Sequence, residues 1–246
     1  MSRGFTLFFA MVAYAIFFAT FLYLIGFVGD FRSIGSTVDA GPAAPTMTAI
    51  AIDIGLIGLF GLQHSVMARP GFKAVWTKIV PKPIERSVYV LAASIALMIL
   101  FRFWRPIGTM VWNVESPTFS GIIWLLFWGG WGMVLLSTFL INHFELFGVQ
   151  QAWLHCWGRE CAEPELRQPL FYKWIRHPLY LGFFFAFWST PHMSAGHLLL
   201  AAGMSFYMLI AIHYEERDLT DLFGDDYRRY RRDVGMLTPR FRRKSA

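Results

Sequence analysis

Long unbroken apolar runs, separated by short polar or basic segments, organise this chain. Crossing a hydrocarbon layer of about 30 Å takes roughly 20 apolar residues in a helix, because nothing inside the layer satisfies an open backbone group. Runs of that length lie at residues 5–28, 47–67, 87–104 and 119–141. A fifth run, 178–190, is stopped by Pro191 and as a helix would reach only about 20 Å at 1.5 Å per residue. It reads as a short span or a re-entrant arm. A sixth, 195–214, follows at once, so 190–196 is expected to be a tight turn between two antiparallel helices. The pattern predicts an all-α fold, an integral membrane helical bundle of about six transmembrane helices with the fifth short. It forms a single membrane domain over 1–246, whose longest loop is about 142–173.

Composition strengthens this reading. At 56% hydrophobic and 15% charged residues, with a mean hydropathy of +0.45, an ordinary soluble domain is excluded. The first run lacks the short apolar core and small-residue cleavage site of a secretory signal and is expected to stay as an anchor. Basic residues mark the two sides. On one fall Arg3, then Arg69, Lys73, Lys78, Lys82 and Arg86, then Arg159, Arg167, Lys173 and Arg176, and finally the tail; the other holds only Arg32, Arg102 and Arg105. Cytosolic loops are the basic ones, so both termini are expected in the cytosol, which requires an even number of crossings and favours six over five. The net charge of +6 and the tail Arg228, Arg229, Arg231, Arg232, Arg240, Arg242, Arg243 and Lys244 fit a lipid surface better than nucleic acid. No obligate protein partner is indicated. Cys156 and Cys161, with His155, lack the second ligand pair that a metal site needs, and no metal is expected.

Polar side chains gather once this topology is drawn. The second run ends Gln63-His64-Ser65 and the fourth ends Asn142-His143-Phe144-Glu145. The fifth begins Arg176-His177-Pro178, and the sixth ends His213-Tyr214-Glu215-Glu216. All four ends fall on the basic side. Ionisable groups at membrane depth face a bundle interior, so four histidines and three glutamates from four spans predict a shared site. Pro178 suits the first turn of a helix. The free N–H groups of that turn, beside Arg176 and His177, suit a carboxylate or phosphate. Residues 215–232 have helical spacing, with Arg217/Asp221 and Asp225/Arg229 four apart and an aromatic face of Phe223, Tyr227 and Tyr230. They are expected to form an amphipathic cytosolic helix that lies along the membrane or caps the site.

The segment Leu170-Phe171-Tyr172-Lys173-Trp174-Ile175-Arg176-His177-Pro178-Leu179-Tyr180-Leu181-Gly182 resembles the signature of the isoprenylcysteine carboxyl methyltransferase and phospholipid methyltransferase superfamily. Glu215-Glu216, Leu219, Phe223-Gly224, Tyr227 and Tyr230 resemble its closing motif. Upstream, Leu136 to Trp153, with Asn142-His143-Phe144-Glu145 and Gly148-Val149-Gln150-Gln151, is similar to the bacterial membrane methanethiol S-methyltransferases. Gln63-His64-Ser65-Val66-Met67-Ala68-Arg69 is similar to a block shared with NnrU-type membrane proteins. The resemblance implies S-adenosylmethionine as cofactor, held within residues 142–246 by Tyr172, Arg176, His177, Tyr180, Gly182, His213, Glu215 and Glu216, and a place in the bacterial inner membrane. There is one departure. Isoprenylcysteine enzymes carry an arginine one turn before the acidic pair, and residues 208–213 here have none, which leaves room for a small neutral substrate.

A thiol methyltransferase acts on the thiolate, of which an alkyl thiol offers at most a few per cent at neutral pH. A base or a cation beside the sulfur is therefore needed. The candidates are His64, His143 and Glu145, with Asp53 and Gln150 behind them. Asp53 and His64 are eleven residues apart, on nearly one helix face but about 16 Å apart along the axis. His64, at the cytosolic end, is the better base. Two other readings stay open: a methyltransferase for a lipid or prenyl-cysteine carboxylate, and a non-enzymatic NnrU-like membrane protein.

Overall fold

The computed structural model describes residues 2–162 and 165–240; Arg242, Arg243 and Lys244 of the basic tail lie outside the described residues. The bundle predicted from the apolar runs is the one that forms. Its long helices are α1 (Arg3–Val28), α2 (Thr46–Ala68), α4 (Lys82–Phe103), α5 (Pro117–Ile141) and α9 (Ala195–Phe223), each long and apolar enough to cross a membrane, and α8 (Pro178–Trp188) is the short one. Shorter helices α3 (Pro70–Trp76), α6 (His143–Leu146), α7 (Val149–Cys156) and α10 (Asp225–Asp233) lie at one end. Two short strands, β1 (Met110–Asn113) and β2 (His192–Ser194), pair antiparallel at the other.

The bundle is greasy outside as well as inside, as a lipid-facing surface requires: Phe8, Leu125 and Phe206 stand more than 60% exposed. Inside, Phe27, Leu100, Trp104, Phe127, Phe187 and Leu200 form the centre of the core. α8 packs along α5, where Gly130 and Gly182 let the two backbones touch. A Cβ on Gly130 would sit 2.7 Å from the Gly182 oxygen, and one on Gly182 would sit 2.8 Å from the Gly130 oxygen. Small residues permit this approach between apolar helices, where dispersion supplies the attraction.

The segment expected to be a plain turn is more than that. α8 covers only about 16 Å; residues 189–191 then bend, and His192–Ser194 form β2 against β1 before α9 begins. The extended part has its polar groups satisfied within the protein: Val114 N–H donates to the Pro191 carbonyl at 2.9 Å and the Trp112 indole to the Thr190 carbonyl at 2.9 Å. Polar satisfaction of this kind is what non-helical chain beside apolar helices requires.

At the opposite end, α9 runs straight through the acidic pair and breaks at Gly224, so the expected amphipathic helix is divided between α9 and α10. Its aromatic face turns inward. Tyr227, Tyr230 and Val234 form a small buried cluster with Leu166, Leu219 and Phe223, and the Tyr230 hydroxyl donates to the Tyr172 carbonyl at 2.6 Å. Asp225 pairs with Arg228 rather than Arg229, and Arg229 with Asp226; these exposed pairs contribute little. The start of α1 lies at this same end, with Arg3 beside Gly158.

Candidate active site

The helix ends converge on an apolar-walled cavity of about 340 Å³, inside the range of about 300–1,000 Å³ typical of small-molecule sites. Its polar lining comes from separate elements: His64 on α2, Arg86 and Tyr89 on α4, His143 on α6, Tyr172, Arg176 and His177 before α8, Tyr180 on α8, and Tyr207 and Glu215 on α9.

The segment before α8 is pinned from both sides. Arg176 N–H donates to the Gly235 carbonyl at 2.8 Å and His177 N–H to the Met236 carbonyl at 3.1 Å, so the chain after α10 runs beside it. The Arg176 guanidinium donates from Nε to Glu216 Oε1 at 2.7 Å and from Nη1 to the carbonyls of Arg231 and Val234. His177 Nε2 lies 3.1 Å from the same Glu216 oxygen and must carry the proton, since a carboxylate only accepts. Arg231 Nε reaches Glu216 Oε2 at 3.1 Å. Glu216 is thereby fully engaged one layer behind the cavity wall. Glu215, accepting from the Tyr180 hydroxyl at 2.9 Å, is the carboxylate on the wall itself. Burial and the Glu215 charge push the Tyr172 phenol well above its usual range, and burial lifts Tyr230 to about 12, so both stay protonated donors.

Two of the three histidines that line the cavity, His143 and His64, differ in their bonding. Thr138 spends its hydroxyl proton on the Leu135 carbonyl at 2.6 Å, so it accepts from His143 Nδ1 at 2.8 Å. His143 Nε2 then carries the lone pair and accepts from the Tyr14 hydroxyl at 2.8 Å. Burial holds the His143 ring below the ordinary histidine pKa, in keeping with a neutral, fully bonded imidazole. His64 instead bonds only through Nε2, to the Tyr89 hydroxyl at 2.7 Å, with its ring stacked on Phe60; its Nδ1 is buried with no hydrogen-bond partner among the described residues.

Several sequence candidates lie elsewhere. Asp53 is fully buried at the far end, where Oδ1 accepts from the Arg105 amide at 2.9 Å beyond the last turn of α4; it fastens α2 to α4 and does not reach the cavity. Glu145 and Gln150 knit the corner between α5 and α7, both accepting from the Asn142 amide, at 2.9 and 2.6 Å, and neither lines the cavity. Gly182 serves the α5–α8 contact, and His213 is exposed on the outer face of α9. Sequence reasoning passed over Arg86, Tyr89 and Tyr207. The signal for the first two was in the chain: Arg86, Tyr89, Val90, Ala93, Ser94 and Leu97 fall on one helical face, and all line the cavity.

No family model matches the chain, and no solved structure matches it. Curated relatives do. The chain is 49% identical to methanethiol S-methyltransferase of Mycobacterium tuberculosis, over 97% of this chain and 98% of the relative. It is 50% identical to methanethiol S-methyltransferase 1 of Bradyrhizobium diazoefficiens, over 94% and 81% respectively. Nurim of Xenopus laevis is 29% identical over 81% of this chain and 76% of the relative. Half of all positions kept along nearly the whole of both chains, on a multi-pass bundle with an apolar-walled cavity among its helix ends, place this chain in the methanethiol S-methyltransferase family of membrane enzymes.

Proposed function

We propose that this enzyme methylates methanethiol with S-adenosylmethionine, forming dimethyl sulfide and S-adenosylhomocysteine. The observation that carries the reading is the cavity, apolar over most of its wall, at whose edge the Arg176–His177–Tyr180–Glu215 constellation gathers. The residues present fit the methyl donor. Glu215 suits its ammonium, the first turn of α8 its carboxylate, and the rings of Tyr172, Tyr180 and Tyr207 its cationic sulfonium. The donor, once bound, supplies an electrophilic methyl group; the protein supplies orientation, exclusion of water and control of the thiol's proton. A methyl-sized substrate needs only a small apolar recess, which Phe17, Phe21 and Leu24 of α1 line. His64, with one ring nitrogen unbonded, is the group placed to take the thiol proton.

In this reading residues 142–246 carry the cofactor-binding portion, and the cavity opens at the cytosolic face of a bacterial inner membrane with both termini in the cytosol. Arg228, Arg229, Arg232 and Arg240 then face anionic headgroups. Purified protein in detergent, given labelled S-adenosylmethionine and methanethiol, should release labelled dimethyl sulfide into the headspace. Label that instead enters the organic phase from added bacterial lipid would move the activity to a lipid substrate. Reporter fusions after Ala246 and within residues 33–45 should give opposite signals, and equal signals would overturn the orientation.

A further inference from the structure

Three ionised side chains line the cavity, and two of them are committed. Arg176 is spent on Glu216 and two carbonyls, and Glu215 accepts from Tyr180. Arg86, half-buried, makes no hydrogen bond or ion pair among the described residues. It stands one helical turn before Tyr89, the hydroxyl bonded to His64, and the ring of His64, whose Nδ1 makes no hydrogen bond among the described residues, lines the same cavity. An unpaired cation and an unpaired base thus meet in one apolar-walled space, where a charge acts more strongly than in water.

The fold takes trouble to aim this arginine. Gly148, at φ +85°, sits in the left-handed region that favours glycine, and a Cβ there would come within 2.6 Å of Ser87 Oγ and 2.7 Å of Ser87 N. Only glycine lets the corner between α6 and α7 press on α4 at Ser87, which is fully buried and donates to the Gly148 carbonyl at 3.4 Å. With Ser87 fixed against the corner, Arg86 points about 100° away, onto the face that lines the cavity.

We propose that Arg86 is the cation that holds the thiolate for methyl transfer, with His64 Nδ1 taking the proton, Tyr89 positioning His64 and Gly148 positioning Arg86. The inference rests on the reading of the chain as a thiol methyltransferase. The S–H bond breaks as its proton passes to His64 Nδ1, and the thiolate stays beside the Arg86 guanidinium. A lone pair of that sulfur forms the new bond to the methyl carbon, the methyl–sulfonium bond breaks, and its electron pair neutralises the departing sulfonium sulfur. His64 then returns its proton to water. The ionisable groups at His64 are Arg86 and Tyr89 on α4 and Tyr207 on α9; Arg69 at the end of α2, Tyr180 on α8 and Glu215 on α9 act on Tyr89, and Lys73 on α3 acts on Arg86.

The test uses the full chain in detergent. Dimethyl sulfide formation at saturating S-adenosylmethionine is followed from pH 7 to 10, and donor affinity is measured by calorimetry. Arg86→Gln should bind the donor as the wild type does, lose about tenfold or more in turnover at pH 7, and close that gap as rising pH ionises the thiol in solution. Arg86→Lys, which keeps the charge, should stay within about threefold of the wild type at every pH. A loss in Arg86→Gln that is the same at every pH, or weakened donor binding with unchanged turnover, overturns the inference and gives Arg86 to packing or to the donor's carboxylate. Should Arg86→Gln not fold, Arg86→Lys decides, a wild-type profile supporting the proposal and a loss of about tenfold at every pH overturning it. A wild-type protein that binds the donor yet forms no dimethyl sulfide refutes the substrate itself, a failure distinct from either.

Discussion

At the α2–α4 corner of the cavity a histidine keeps one ring nitrogen unused, whereas at the α1–α5 corner another has both engaged. His143 is buried and His64 half-buried, both are flanked by aromatic rings, and both are partnered by a tyrosine hydroxyl, at 2.7 Å for His64 and 2.8 Å for His143. What separates them is Thr138, which completes the bonding of His143 and has no equivalent beside His64. A fully bonded imidazole ties α1 to the corner after α5, and moving its proton would break a bond already made. An imidazole with a vacant nitrogen can accept a proton without that cost. The neighbouring glutamates differ in the same way: Glu216 is surrounded by three cationic or donor side chains, while Glu215 has one tyrosine and the cavity.

The comparison predicts unequal consequences. Glu216→Gln should have the largest effect, because it leaves the Arg176 guanidinium, only 7% exposed, without its anion; a loss of about 3 kcal/mol is expected, read as a lower thermal midpoint in detergent together with weakened donor binding. A variant as stable as the wild type would show that Glu216 is not the anchor of the segment before α8. Next is His64→Gln, which should fold and bind the donor normally but turn over methanethiol about 100-fold more slowly at pH 7 and recover at alkaline pH. Wild-type turnover would move the proton acceptor to another group. The smallest effect belongs to the bonded histidine: Tyr14→Phe should cost about 1–2 kcal/mol by leaving His143 Nε2 unsatisfied, with turnover changed less than about threefold.

The same histidine sets an acid limb. Because burial lowers the His143 pKa in the folded state, the unfolded chain binds more protons there below about 6.5, so stability rises with pH through that range and is lost as pH falls below it. Thermal midpoints between pH 5 and 7 should fall less steeply in His143→Gln than in the wild type. Equal slopes would show that other groups carry the acid dependence.

Much of this architecture is legible in the chain because the membrane imposes a length on every apolar run. The ends are less so. α4 begins at Lys82, five residues before its apolar run at 87, and α9 continues past 214 to Phe223, since charged turns outside the hydrocarbon stay helical without being apolar. The strands β1 and β2 span four and three residues and carry no alternation that marks them in advance. At the site, the motif residues before α8 and the acidic pair lie in contact. The division of labour between Glu215 and Glu216, and between His64 and His143, depends on partners from other helices, such as Tyr180, Tyr89 and Thr138, and no local spacing records those. Asp53 shows the reverse: a carboxylate inside an apolar span invites a chemical role, yet the Arg105 amide 52 residues away explains its position.

The short fifth helix bears on how the protein is made. Eleven residues, Pro178–Trp188, offer too little apolar length to be received by a bilayer alone, and the extended chain after them brings bare peptide groups that lipid cannot accept. Both find acceptance only against surfaces laid down earlier in translation: the backbone of α5 at Gly130 and the β1 ribbon that receives β2. The short helix and the strand after it thus depend for their burial on elements that precede them in the chain.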